Sequence, residues 1–173
     1  SVCLNGKPLR YDLAEALGQP VRLANDADCF ALSEATDGAA AGAGSVFGVI
    51  IGTGTGGGIV VNGRLLAGPN ASAGEWGHNP LPWPRPEELP GPDCYCGKTG
   101  CIETFLSGPG LARDYFAATA EHLAPEEIVK RASAGAARAE AALMRYEDRL
   151  ARGLASVINV IDPEVIVLGG GMS

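Results

Sequence analysis

The sequence predicts an α/β domain, and three observations carry that expectation. Residues 45–51 are a continuous apolar run rich in Val and Ile, as a strand buried on both faces would be. Asn62-Gly63 separates two further apolar runs, a strong short-range hairpin signal. An Ala-rich segment at 137–161 leads through Pro163 into the apolar run Val165-Ile166-Val167-Leu168, so a long helix feeds a strand. That last arrangement predicts parallel pairing in a sheet covered by helices.

The elements follow in order. Val21-Arg22-Leu23-Ala24 reads as a short strand. Asn25 or Asp26 then caps a helix, because a short polar side chain accepts from the first free amides. This helix is expected over 27–41, ending at Gly42 and Gly44. After the strand at 45–51, the run Gly52-Thr53-Gly54-Thr55-Gly56-Gly57-Gly58 joins it to a strand beginning at Ile59. Residues 67–100 lack periodicity, and Pro80, Pro82, Pro84, Pro86, Pro90 and Pro92 exclude regular helix there. A helix is expected over 102–116 with an interruption near Gly108-Pro109-Gly110, and a short one over 125–130. On the long helix, Leu143, Leu150, Leu154, Val157, Ile158 and Ile161 form a core-facing stripe.

Composition narrows the function classes. Of 173 residues, 46% are apolar and 19% charged, enough to bury a core. The net charge of −7 and the lack of a basic run argue against nucleic-acid binding. No apolar stretch approaches the roughly 18 residues of a membrane span. The start of the chain lacks the charged-then-apolar order of a signal peptide, so the cytoplasm is expected. Five cysteines, three of them between positions 94 and 101, favour a metal over disulfides in a reducing compartment.

Three constellations carry chemistry. Gly52-x-Gly54-x-x-Gly57 matches a dinucleotide fingerprint in form, but that motif must open a helix and here a strand follows. A glycine hairpin can still bind phosphate through its amides, with Thr53 and Thr55 adding hydroxyls. Cys94, Cys96 and Cys101 crowd one loop, with Gly97 and Gly100 letting it turn. Tetrahedral zinc needs a fourth ligand, and of two histidines His78 is the better candidate, since His122 falls in a polar helical stretch. No open coordination position is implied, so the zinc is expected to be structural. Asp26 follows a strand, opens a helix and has Asn25 and Asp28 in the same turn. It is a cap, or a base for a hydroxyl attacking a phosphoryl group. A metal held by His78 and Cys101 would bring Glu75 and Glu103 together as acceptors for sugar hydroxyls.

These segments resemble the ROK family of sugar kinases and regulators. The matching stretches are Leu23 through Asp28, Ile51 through Gly58, Gly74-Glu75-Trp76-Gly77-His78, Cys94 through Glu103, and Val165 through Gly171. The resemblance implies an actin-like, ribonuclease-H-like fold with two lobes around a cleft. On this reading residues 1–25 end the first lobe, 26–173 form most of the second, and 78–101 make a zinc loop. It implies Asp26 as catalytic base, and sugar contacts from Asn25, Asp26, Glu75, His78 and Glu103. His78, Cys94, Cys96 and Cys101 match zinc ligands. Thr53 and Gly54 match a phosphate turn, and Gly169, Gly170 and Gly171 a loop near adenosine. The expected activity is phosphorylation of a hexose by Mg-ATP at the 6-hydroxyl. Fructose leads on the Trp- and Pro-rich stretch after His78, and the protein is expected to be a homodimer. The rival is a sugar-sensing transcriptional regulator of the same family. The family's Asp-x-Gly-x-Thr segment is absent from these residues, and both ends read as internal, so an N-terminal lobe is expected to be missing. The segment alone is then expected to be inactive.

Overall fold

A computed structural model describes residues 6–173. Helix α1 (Leu9–Leu17) comes first, is not foreseen by the sequence reading, and buries none of its residues. It stops at Gly18 in the left-handed conformation, whose amide reaches back to the Ala14 and Glu15 carbonyls. The strand expected at 21–24 does not form. Leu23 is exposed, and no strand among the described residues pairs with this stretch. Helix α2 (Asp26–Thr36) is shorter than the expected 27–41. Its end is set by Glu34, whose carboxylate accepts from the Ala39 amide at 2.8 Å and folds the chain into turns.

Strands β1 (Ser45–Ile51), β2 (Thr55–Val61), β3 (Arg64–Leu65) and β4 (Val165–Gly169) form one sheet, in the order β3-β2-β1-β4. The hairpins are antiparallel and β1–β4 is parallel, with Val46 opposite Val165. The turn at Asn62-Gly63 has positive φ at both positions, as a type I′ hairpin requires. Alternation across β1 explains its continuous apolar run. Val46 faces one cluster with Ala31, Ala40 and Val60, while Phe47, Val49 and Ile51 face the main core. Glycines bring α2 close on the first side: a Cβ on Gly48 would lie 2.6 Å from Ala31 Cβ, and one on Gly58 2.7 Å from the Ala27 carbonyl.

On the other side lie α3 (Ile102–Phe105), α4 (Gly108–Thr119), α5 (Pro125–Ser133) and α6 (Ala137–Ile161). The break between α3 and α4 falls where Gly108-Pro109 predicts it. His122 lies just beyond α4 rather than within a helix, stacked on Phe116. The buried line of α6 differs from the expected leucine stripe. It runs Ala139, Ala142, Tyr146, Arg149, Gly153 and Val157. Leu143, Leu150, Leu154 and Ile161 flank it, and Ile158 is exposed. Gly153 is small because Trp76 presses there, 3.1 Å from where a Gly153 Cβ would sit.

Arg149 is buried because carboxylates meet it. Its Nε donates to Glu88 Oε1 and its Nη1 to Asp114 Oδ1, both at 2.8 Å. Arg152 adds a second donor to Glu88 Oε1 at 2.8 Å, and the Arg85 amide donates to Oε2. The pairs fasten the Pro-rich loop to α6. Burial by itself would raise the Glu88 carboxyl. Hydrogen bonds from Arg152, Arg149 and the Arg85 amide overcome that and hold it at about 2.

Glu88→Gln removes the charge between two guanidinium groups and should cost about 3 kcal/mol in urea unfolding at neutral pH, because a broken buried pair strands its partner. The stabilisation from Glu88 is complete above its ordinary value of 4.5 and is lost as pH falls toward about 2. Stability of the native chain should therefore decline more steeply over that acid window than stability of the variant.

Candidate active site and metal cluster

The site begins with backbone lying on backbone. Gly74 and Gly77 press segment 74–78 onto β2: a Cβ on Gly77 would stand 2.0 Å from the Thr55 carbonyl oxygen, and one on Gly74 2.3 Å from that of Gly57. Trp76, buried between the two glycines, donates from Nε1 to the Gly56 carbonyl at 3.0 Å and meets Phe47 edge-on. Glu75 and His78 are thereby carried to the glycine end of β2. The single 3-10 turn at Trp76–His78 then hands the chain to Asn79, whose carbonyl accepts from the Ile102 amide at 2.9 Å.

That bond, with Leu81 donating to the Gly100 carbonyl at 2.9 Å, sets the start of α3 beside His78. Glu103 sits in the first turn of α3, and its Oε2 accepts from the Thr55 amide at 2.9 Å. Thr55 in turn donates its hydroxyl to the Leu106 carbonyl at 2.6 Å. A side chain on Gly54 would collide with Glu103 Oε2, at 2.6 Å. The expected seven-residue glycine loop is shorter than the sequence reading has it. Only residues 52–54 form the turn, because Thr55 onward pairs with β1.

Across the turn stands the start of α2. Asn25 is its cap, accepting from the Asp28 amide at 3.1 Å, and Asp26 Oδ1 accepts from the Ala27 amide at 2.9 Å. Asp26 therefore sits at the positive end of the helix, and its second oxygen takes no hydrogen bond from the described residues. Asp28 turns the other way: its Oδ1 is buried without a partner among the described residues, and burial raises its pKa.

One cavity of about 640 Å³ joins these groups. Asn25, Asp26, Glu75, His78 and Glu103 all line it, as do Gly52, Thr53 and Gly54. A second cavity of about 320 Å³ lies on the far side of the turn, bounded by Gly108, Pro109, Pro125, Gly171 and Met172. Gly52 and Thr53 border both. The glycines at the end of β4 divide in role. Gly171 lines the second cavity, whereas Gly169 abuts Phe30 and Gly170 the Ile51 carbonyl, and neither lines either cavity. The sequence reading missed Tyr95, which lines the larger cavity. The signal was its place between two motif cysteines. Its phenol is raised above the ordinary range by desolvation, then by the charges of Glu103, Cys94, Glu75 and Cys96.

The metal candidates come together. One ligand atom from each of His78, Cys94, Cys96 and Cys101 lies within 4.8 Å of the others. Cys94 Sγ is 3.5 Å from His78 Nδ1, and Cys96 Sγ is 3.6 Å from Cys101 Sγ. Tetrahedral zinc with bonds of about 2.3 Å to sulfur and about 2.0 Å to nitrogen spaces its ligands about 3.5–3.8 Å apart, so the residues present fit it. The loop is shaped by Gly97 and Gly100, both with positive φ, and by the Cys94 amide donating to the Lys98 carbonyl at 2.8 Å. Without a cation, burial first and the neighbouring thiols next push Cys101 up to about 12, while the backbone at Lys98 holds Cys96 below its usual range.

A mixed sheet with helices on both faces and a carboxylate-lined cavity at a glycine turn defines the class, and comparison with known proteins names it. The chain matches the ROK family over residues 2–173. It is 43% identical to an N-acetyl-D-glucosamine kinase of Citrobacter koseri, across 98% of this chain and 57% of that protein. A Streptomyces griseus ROK family glucokinase, solved with glucose and AMPPNP, superposes with a TM-score of 0.82 at 30% identity, covering 95% of this chain and 56% of that one. A ROK family transcriptional regulator, homologous to the E. coli MLC protein, superposes with a TM-score of 0.77 at 32% identity, covering 94% and 42%. The fold is thus the actin-like one of these sugar kinases, and the chain belongs to the ROK family. It spans a little over half the length of the kinases it matches.

Gly77→Ala should lift segment 74–78 off β2 and cost roughly 2 kcal/mol, as an overpacked contact does. Gly171→Ala, with nothing within 4 Å of the added carbon, is the control and should be near neutral in the same thermal unfolding measurement.

Proposed function

We propose that this protein is a sugar kinase that transfers the γ-phosphoryl group of Mg-ATP to a hydroxyl of a hexose, with Asp26 as general base. The observation that carries the reading is the single cavity in which Asp26 faces the Gly52–Gly54 turn in the company of Asn25, Glu75, His78 and Glu103. Asp26 takes the proton of the attacking hydroxyl through its unengaged oxygen. Glu75 and the free oxygen of Glu103 accept from other sugar hydroxyls, and Asn25 can both accept and donate. Amides at Thr53 and Gly54 meet the phosphates between the two cavities, where developing charge needs donors fixed in advance. Adenosine then belongs in the second cavity beside Gly171, and the Gly169–Gly170 pair acts by packing rather than by contact.

The lobes follow the same proposal: residues 26–173 supply the sugar and metal side, and the Asp-x-Gly-x-Thr segment comes from residues outside these 173. The relatives act on N-acetylglucosamine and glucose by name. They lend no support to fructose, so we place those two sugars ahead of it. ATP use fits the cytoplasm, and a homodimer remains part of the proposal. The regulator among the structural neighbours keeps sugar sensing in view, but sensing alone needs no carboxylate aimed at a phosphate turn.

A coupled ATP-consumption assay on the protein extended to the length of its kinase relatives, run over glucose, N-acetylglucosamine, mannose and fructose, is the direct test. Turnover on at least one is expected, with Asp26→Asn lowering kcat by several orders of magnitude and leaving sugar affinity within a few fold. No turnover, or a mild effect of Asp26→Asn, would sink the assignment. The 173-residue chain by itself should be inactive.

Zinc is proposed as the structural ion, held by His78 Nδ1 and the three thiols. Elemental analysis should find one zinc per chain, and Cys101→Ser should lose it. Chelation should unfold segment 78–101 before the sheet, visible as early amide exchange there.

A further inference from the structure

Among the described residues that line the second cavity, Glu126 alone is charged. The rest of that lining is Thr53, glycines, Pro109, Pro125 and Met172. Backbone bonds tie these walls to the end of β1 and the turn that follows it. The Gly108 amide donates to the Gly52 carbonyl at 2.8 Å, and the Met172 amide to the Ile51 carbonyl at 3.1 Å. A Cβ on Gly108 would lie 3.3 Å from Pro125 Cγ, 3.5 Å from the Gly52 carbonyl oxygen and 3.8 Å from Met172 Sδ. Three walls therefore close around Gly108, and the start of α5 stands one residue's breadth from the phosphate turn.

An acid in the first turn of a helix gains a little from the helix dipole, which is reason enough for a carboxylate on α5. The two acids of that turn differ, however. Glu127 pairs with Arg131 Nε at 3.2 Å and Lys130 Nζ at 4.0 Å, and it does not border the cavity. Glu126 borders the cavity, and its side chain has no ion pair or hydrogen bond among the described residues.

An ionised carboxylate can only accept. On the rim of an apolar slot it takes donors from whatever fills the slot. With phosphates at the Gly52–Gly54 turn, the group next to them in a nucleotide is the ribose. Its 2′- and 3′-hydroxyls lie side by side on one face and offer two O–H donors to the two oxygens of one carboxylate. The base then falls to Pro109, Pro125 and Met172, which bring no polar side chain and suit a flat ring, the thioether above all.

We propose that Glu126 is a specificity-determining residue that binds the ribose, its carboxylate accepting from the 2′- and 3′-hydroxyls of the nucleotide. This rests on the sugar-kinase reading and deepens it, since no residue assigned there meets the ribose. Selection of ribose over deoxyribose is then a property of the start of α5 rather than of the glycine turns.

The test uses the protein at the length of its kinase relatives, as wild type, Glu126→Ala and Glu126→Gln. Calorimetry without hexose measures ADP, 2′-deoxy-ADP, 3′-deoxy-ADP and IDP, beside kcat and KM for ATP and for hexose. Wild type should bind ADP about tenfold tighter than either deoxy form. Glu126→Ala should weaken ADP about tenfold and leave the three adenine nucleotides within about twofold of one another, as loss of a charged acceptor predicts. KM for ATP should rise in step while KM for hexose holds within about twofold. Glu126→Gln, which keeps one accepting oxygen, should fall between. No preference for ADP over the deoxy forms in wild type overturns the proposal, as does failure of wild type to bind ADP. Equal weakening of all three by Glu126→Ala overturns it in favour of an effect through the helix. An altered preference between ADP and IDP, with the deoxy preference intact, overturns it in favour of a contact to the base. Nucleotide binding without turnover on any hexose instead overturns the kinase reading, and the ADP series still decides the ribose contact, so the two failures are told apart.

Discussion

Contact between the backbone of segment 74–78 and the backbone of β2 is the constraint on which the site depends. Two glycines remove every atom that would hold the strands of chain apart, and Trp76 between them locks the contact with its indole N–H on Gly56 and its ring in the main core. Glu75 and His78 are then placed by geometry rather than by flexible reach. The same strand end receives Glu103, through the Thr55 amide, and the turn that faces Asp26. One strand terminus therefore organises groups drawn from four separate stretches of chain.

The loop that carries the cysteines is held differently. Residues 79–100 bury few large apolar side chains, Leu81 being the main one. Two polar devices fasten the loop instead. At one end Glu88 meets Arg149 and Arg152 of α6, a pairing whose disruption costs a few kcal/mol. At the other, the ligand atoms of His78, Cys94, Cys96 and Cys101 converge at a spacing that fits tetrahedral zinc. The ion pairs decide how the loop docks on the helices. Neither device alone would hold Tyr95 and His78 at a defined edge of the cavity.

Much of the fold was legible because it is written in local patterns. The apolar run at 45–51, the Asn62-Gly63 turn, the 137–161 helix and the strand after Pro163 all formed where periodicity and turn chemistry placed them. The departures share a cause. Residues 21–24 look like a strand, but a strand exists only where a partner supplies hydrogen bonds, and none among the described residues does. Helix α2 stops at Thr36 because Glu34 turns back on the chain, a bond no propensity scale contains. Burial on α6 is centred on Ala, Gly and Arg149 rather than on leucine, since what faces a helix decides which side is inside.

The sequence by itself determined the donor sets and the conformationally permissive positions: three thiols and a histidine at ligand spacing, carboxylates in three motifs, and glycines where the backbone must bend or touch. Side-chain chemistry and backbone freedom are properties of single residues and short spacings, so they can be read along a line. Tertiary structure alone decided that Asn25, Asp26, Glu75, His78 and Glu103 share one cavity, that Gly171 lines the neighbouring one while Gly169 and Gly170 pack inward, and that Tyr95 reaches His78. Those are distances across the sheet and between loops, and they come from packing around Trp76 and β2, which no local pattern encodes.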